Sequence, residues 1–291
     1  MHKSRRVAAL RRTALERTPA SVVRLGTTLV RAVVDIEPFD RAMTLAAQAF
    51  TSIFPLVIAL AAVLPRGQSL GDLIADNLDV PPSTRDALEA AIPPDAGPRG
   101  VFGIVGVVVV LVSSTSYARA LARMYGKVWR VRPPGWRSAW RWLLMLAGVV
   151  LGAGTLRLLE RSAVGELYGP AGQALVTLVL NAVFWTWVPR LLLIRQVGWR
   201  ALMPGGLLMG LCAIVLSAVS TLYLRLALAN SAERYGALGV AFTYISWLFV
   251  LSFVLVVTTV VGATLIRRVP LLRAWARVDV PEPEARDPGP A

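Results

Sequence analysis

Residues 238–266 read LGVAFTYISWLFVLSFVLVVTTVVGATLI, 29 consecutive positions without a formal charge. A helix of that length rises about 43 Å, more than the roughly 30 Å hydrocarbon core of a bilayer requires. The stretch therefore predicts a transmembrane helix that tilts, kinks or extends past the headgroups. A surface helix of a soluble domain would carry one apolar stripe, whereas this segment is apolar on every side. Working outward, five more windows share its character: Met43 to Leu64, Val101 to Ala118, Trp142 to Leu159, Ala171 to Leu193 and Ala201 to Leu224. With Leu238 to Ile266 they predict an all-α membrane protein, a bundle of six transmembrane helices over 43–266. It is flanked by a basic tail with an interfacial helix (1–42) and a largely disordered tail (267–291).

Composition agrees. The chain has 291 residues, is 56% hydrophobic and carries a net charge of +14, with a mean hydropathy of +0.60. Its charges lie between the apolar windows rather than within them. Of the 31 Lys and Arg residues, 24 fall in the N-terminal tail, the second-to-third connection, the fourth-to-fifth connection and the C-terminal tail. The positive-inside rule then places both termini in the cytoplasm. The basic surplus is assigned to topology and to membrane lipids, not to nucleic acid, because the clusters lack interleaved stacking aromatics and any reader motif. Arg119, Arg123, Lys127, Arg130 and Arg132 form the densest part of this headgroup-facing surface. No cleavable signal peptide is visible, since the basic head runs into an amphipathic stretch.

Several chemistries are excluded. A single Cys (Cys212) and a single His (His2) leave no disulfide, metal centre or His-based triad, so neither a metal nor any other cofactor is expected. None of the six windows holds an Asp or Glu, which removes a mid-membrane carboxylate as a proton relay. The chain is accordingly read as non-enzymatic.

Outside the spans, Ser21 to Asp35 gathers Val22, Val23, Leu29, Val30, Val33 and Val34 towards one helical face and sets Arg24 and Arg31 on another. This suits an interfacial helix or a helix packed beneath the bundle. Pro65 to Gly100 holds 6 acidic residues and two predicted short helices, Leu70 to Leu78 and Ser83 to Ile92, parted by Pro81-Pro82; it reads as a cap on the outer face.

Within the spans, uncharged polar groups and prolines stand out. Gln48, Ser52 and Pro55 punctuate the first window, Ser113 and Ser114 the second, and Asn181 the fourth. Pro204 and Tyr223 lie in the fifth and Tyr244 in the sixth. A hydroxyl can bond to its own helix, but an amide in hydrocarbon needs a partner. Pro55 and Pro204 mark expected kinks, and interrupted helices are where transporters expose backbone to cargo. These nine residues are the candidate lining of a polar groove. Gly148 and Gly152, like Gly206 and Gly210, have the small-xxx-small spacing that permits close helix approach.

Three segments carry a resemblance: AAQAFTSIFPLVIALAAVL (Ala46 to Leu64), SYARALARMYGKVWRVR (Ser116 to Arg132), and Met203 to Leu251 with its SAERYGALGVAFTYISWLFVL. Together they resemble the YihY/BrkB family of bacterial inner-membrane proteins. The resemblance implies six transmembrane helices with cytoplasmic termini, and associations with serum resistance and with export of envelope lipid or lipopolysaccharide. An older label attached to the family is a tRNA-processing ribonuclease. That chemistry needs a carboxylate/His cluster to hold its metal ions, and this chain has no such cluster. Family members often end the last span with a Gly-Ala-Glu-Leu-Asn-like stretch, whereas here Thr264 stands where the acid would be. The leading expectation is a carrier, or a helper, for a lipidic or amphipathic envelope component. The alternatives are a small-solute transporter or channel, and a scaffold for an envelope protein partner or a second copy of the chain.

Overall fold

The computed structural model describes residues 23–63, 101–132, 144, 148, 164–193 and 195–276, and every regular element among them is helical. The predicted outer cap, most of the third window and both chain ends lie outside the described residues. Helix α1 covers 23–34, α2 Pro38–Val63, α3 Val101–Trp129, α4 Val164–Leu192, α5 Trp199–Val219, α6 Arg225–Arg268 and α7 Pro270–Ala276. Hydrocarbon offers no water to backbone N–H and C=O groups, so apolar windows close these bonds internally as helices. Among the described residues three stretches are long and apolar enough to cross a membrane: Ala174–Leu192, Trp199–Val219 and Leu226–Arg268.

The last of these is not one rod. Gly236 leaves the helix at φ 58°, ψ −140°, and the hydroxyls of Ser231 and Thr243, 12 positions apart, lie 2.8 Å from each other. A straight helix would separate them by about 18 Å. The chain therefore turns back at Gly236, laying 225–235 against the start of 237–268, and glycine adopts the required positive φ without a Cβ penalty. A π-helical turn, Ser220–Leu224, links α5 to the first limb. What reads in sequence as the outer loop between the fifth and sixth spans is thus helix with a glycine corner. The expected interruptions at Pro55 and Pro204 are not where the backbone departs from helix, which happens at Gly169 and Gly236. Pro204 lies in the second turn of α5, where its missing N–H affects only the carbonyl of Arg200.

Helix α5 touches its neighbours at backbone distance. A Cβ on Gly262 of α6 would lie 2.5 Å from both the Cα and the N of Gly205. One on Gly206 would strike Thr186 Oγ1 and lie 2.8 Å from the Ala182 carbonyl of α4, and Gly210, one turn on, faces Leu178 and Ala182 at 3.1 Å. The Gly206/Gly210 spacing is therefore used inside one chain, and Gly205 supplies a second contact face. Gly148 approaches the Trp187 ring in the same manner, at 2.5 Å from a built Cβ.

Buried side chains gather at one end. Leu45 early in α2, Leu121, Met124 and Tyr125 late in α3, Val188 and Leu192 late in α4, Leu202 early in α5, and Val256 and Ile266 late in α6 form one cluster. Helix α3 continues to Trp129, well past its expected end at Ala118, and the added turns are its most buried described part. Leu121, Met124, Tyr125 and Val128 repeat at helical spacing, while Arg119, Arg123 and Lys127 occupy another face; their charges hide the helix from a hydropathy window. Towards the opposite end Leu175, Val179 and Val183 of α4, Leu211 and Val215 of α5, and Leu238 and Phe242 of α6 are exposed. An apolar belt of this kind fits lipid as solvent.

The flanking helices have two apolar faces each. In α1, Ala32 and Val33 pack on the core while Val23, Val30 and Val34 point outward. Helix α1 thus packs on the bundle by one face and leaves a second apolar face exposed. In α7, Leu272 and Ala276 join the core while Leu271 and Trp275 point outward; the start of the C-terminal tail is therefore ordered.

Gly262→Ala is expected to destabilise the bundle by about 1–3 kcal/mol through overpacking against Gly205. Gly26→Ala in α1, where a Cβ meets nothing within 4 Å, is expected to gain up to about 1 kcal/mol. Thermal unfolding in detergent checks both, and equal midpoints for the two variants would contradict the backbone contact.

Candidate functional site

The polar residues singled out in sequence do not converge. Ser52 donates to the Gln48 carbonyl at 2.7 Å, and Asn181 Nδ2 donates to the Thr177 carbonyl at 2.9 Å. Thr186, Ser246 and Thr264 likewise donate to carbonyls four residues back, at 2.6, 2.8 and 2.8 Å. Each group is satisfied by its own helix. Gln48 and Ser52 sit on α2, which packs on α3 and α6, whereas Asn181 sits on α4, which packs on α5. Tyr223 is exposed in the π-turn and Tyr244 is half-buried in α6. Pro204 stands at the Gly262 crossing. The side chains of Pro55, Ser113 and Ser114 lie outside the described residues. The described members of this set are spread over α2, α4, α5, the π-turn and α6, and their local bonds have a simple reason: a helical hydroxyl always has a carbonyl three or four residues back within reach.

Gln48 differs from the others. Its Oε1 is buried and has no hydrogen-bond partner among the described residues. An amide oxygen in that position costs about 1–3 kcal/mol.

What the fold does bring together sits at the buried end. Tyr125 and Trp129 of α3, Trp185 of α4, Met209 of α5 and Thr259 of α6 surround a cavity of about 10 Å³, room for roughly one water. Trp129 Nε1 is buried there without a partner among the described residues. Arg267 lies over the Trp129 ring at 5.8 Å and donates from Nη2 to the Val128 carbonyl at 2.5 Å. Gln196 Nε2 donates to the Arg132 carbonyl at 3.3 Å. Two side chains from distant parts of the chain thus occupy the Val128 carbonyl in the last turn of α3 and the Arg132 carbonyl just beyond it. Arg130 completes that end in a left-handed conformation at φ 56°, with Val131 N–H bonding back to the Gly126 carbonyl at 3.0 Å. This cluster was missed in sequence; the spacing of Leu121, Met124, Tyr125 and Val128 was its available signal.

The basic residues occupy the same end. Arg123, Lys127, Arg130 and Arg132 are exposed and Arg119 is half-buried, its Nε donating to the Thr115 carbonyl at 3.3 Å. Lys127 stands 3.9 Å from Glu37, a solvent-exposed pair of little energetic weight.

Long apolar helices with an outward apolar belt and a basic, packed end define an all-helical membrane protein. The chain belongs to the virulence factor BrkB family, whose model matches residues 29–279. No match is found among curated proteins or among solved structures.

Gln48→Leu is expected to leave thermal stability unchanged or raised, since it removes an unpaired oxygen, and Ser52→Ala is expected to cost no more than about 1 kcal/mol. A clear loss of stability in Gln48→Leu would show that this amide has a partner beyond the described residues.

Proposed function

We propose that this chain is a non-enzymatic, six-span protein of the bacterial plasma membrane, with both termini in the cytoplasm. In this reading it moves, or helps to move, a lipidic or amphipathic envelope component along an apolar flank of the bundle. The supporting observation is the uneven burial. The basic end is closed around Tyr125, Trp129 and Trp185, while α4, α5 and α6 turn large apolar side chains outward towards the other end. A hydrated solute needs a polar path, whereas an acyl chain needs an apolar flank. Tyr223, exposed in the π-turn that joins two such flanks, offers a polar handle of the kind found where a helix is locally opened.

Helix direction supports the span count. Helices α3 and α4 both end at the buried cluster, where Gln196 reaches Arg132, so they run in the same sense. An odd number of crossings must separate them, and the window Trp142 to Leu159 supplies one. The basic residues gathered at that end favour a cytoplasmic placement.

Reconstituted protein is expected to accelerate transbilayer exchange of a fluorescent phospholipid over protein-free vesicles, and flux of a small polar dye is expected to stay at background. Dye flux without lipid exchange would reverse the ranking of the two readings. For topology, Cys212→Ala provides a cysteine-free background. Ser83→Cys is then expected to react with an impermeant maleimide in intact cells, and Arg24→Cys only after lysis; the opposite pattern would invert the orientation.

A further inference from the structure

Where α5 begins and α6 ends, the chain builds a basic and aromatic patch. The Arg200 guanidinium lies 5.6 Å from the Trp199 ring and 6.0 Å from the Trp275 ring, and its Nη1 is 3.5 Å from the Trp275 carbonyl. Both indoles are about half exposed, and Leu271, on the same face of α7 as Trp275, is 82% exposed. Arg268, at the end of α6, and Arg273, on α7, are exposed at the same end of the bundle, Arg273 donating one N–H to the Arg267 carbonyl. Among the described residues no Asp or Glu occurs in 190–202 or 237–276; the next acid along the chain is Asp279, outside the described residues. The acids described at this end, Asp35, Glu37 and Asp40, stand at the α1–α2 junction, where Glu37 faces Lys127.

Helix α7 is too short to persist in water on its own, and one of its apolar faces is already used against the core. The other face, Leu271 and Trp275, has tryptophan and arginine at its rim. Indoles favour the headgroup level of a bilayer, and arginine forks match phosphate oxygens. An arginine cluster with no acid among its described neighbours is complemented by an anionic group.

We propose that Arg200, Arg268 and Arg273, framed by Trp199, Leu271 and Trp275, bind the headgroup of an anionic phospholipid of the cytoplasmic leaflet. Leu271 and Trp275 enter the acyl boundary, and the guanidinium groups take the phosphate. Anchoring at this patch fixes the depth of α7 and, through Leu272 and Ala276, holds the closed end of the bundle at the membrane surface. The site rests on membrane insertion and on the cytoplasmic placement of this end proposed above, not on the transport reading, so lipid binding and lipid exchange are separately measurable.

The test uses the full chain in neutral detergent, titrated with short-chain phosphatidylglycerol, short-chain phosphatidylcholine or inorganic phosphate, and read by native mass spectrometry and thermal midpoint. Phosphatidylglycerol is expected to be retained and to raise the midpoint, with phosphatidylcholine and phosphate doing neither. The double variant R268Q/R273Q is expected to weaken retention by about 30-fold, at roughly fivefold per surface charge. Arg234→Gln, near the Gly236 corner, is expected to leave it unchanged. Trp275→Ala is expected to lose retention that Trp275→Phe keeps, while both fold. Equal retention of the two lipids, an unchanged preference in R268Q/R273Q, or competition by inorganic phosphate alone would each overturn the proposal.

Discussion

Gly205 and Gly262 meet backbone to backbone, and the position of α5 follows from that contact. Lipid tails are as apolar as leucine, so burial of apolar surface does little to draw helices together in a membrane. Close packing and dispersion have to supply the attraction, and they do so best where no Cβ keeps the backbones apart. Gly206 and Gly210 repeat the arrangement against α4. One helix is thereby shared by two neighbours, and the layers α4, α5 and α6 are set at separations that only glycine permits. Met209, on the same helix, then comes within 3.6 Å of the Thr258 hydroxyl, and the small cavity beside it closes to about the size of a water.

The bundle that results is polarised along its length. At one end six helices contribute to a dense cluster, and carbonyls at and just past the end of α3 are held by Arg267 and Gln196. Towards the other end α4 to α6 leave broad apolar surfaces facing outward, and the chain turns back at a π-turn and a glycine corner. Closely packed regions resist deformation, whereas irregular helical joints with few buried contacts open at lower cost.

Much of this was legible beforehand, though unevenly. Apolar windows, charge asymmetry and the Gly206/Gly210 spacing are local properties of the chain; among the described residues three long apolar stretches fall on the fourth, fifth and sixth windows, and Gly206 and Gly210 face α4. The polar residues misled. Ser52 and Asn181 looked like members of one groove, yet each bonds to its own helix. A hydroxyl or amide on a helix has local and interhelical options of similar energy, and residue type does not choose between them. The end of α3 misled in the opposite way, because arginines on one face concealed a buried face of Leu121, Met124 and Tyr125.

By itself, the sequence determined that this is a helical membrane protein and where its positive charge gathers, and its motifs carried the BrkB family resemblance. The first two follow from the length and charge of contiguous segments. Tertiary structure alone decided which faces meet: Gly262 against Gly205 across 57 positions, Arg267 on the end of α3, and 225–235 folded back at Gly236. The physical reason is rotational. A helix that is apolar on every side carries no stripe to say which way it turns, so only contact with a neighbour fixes its rotation.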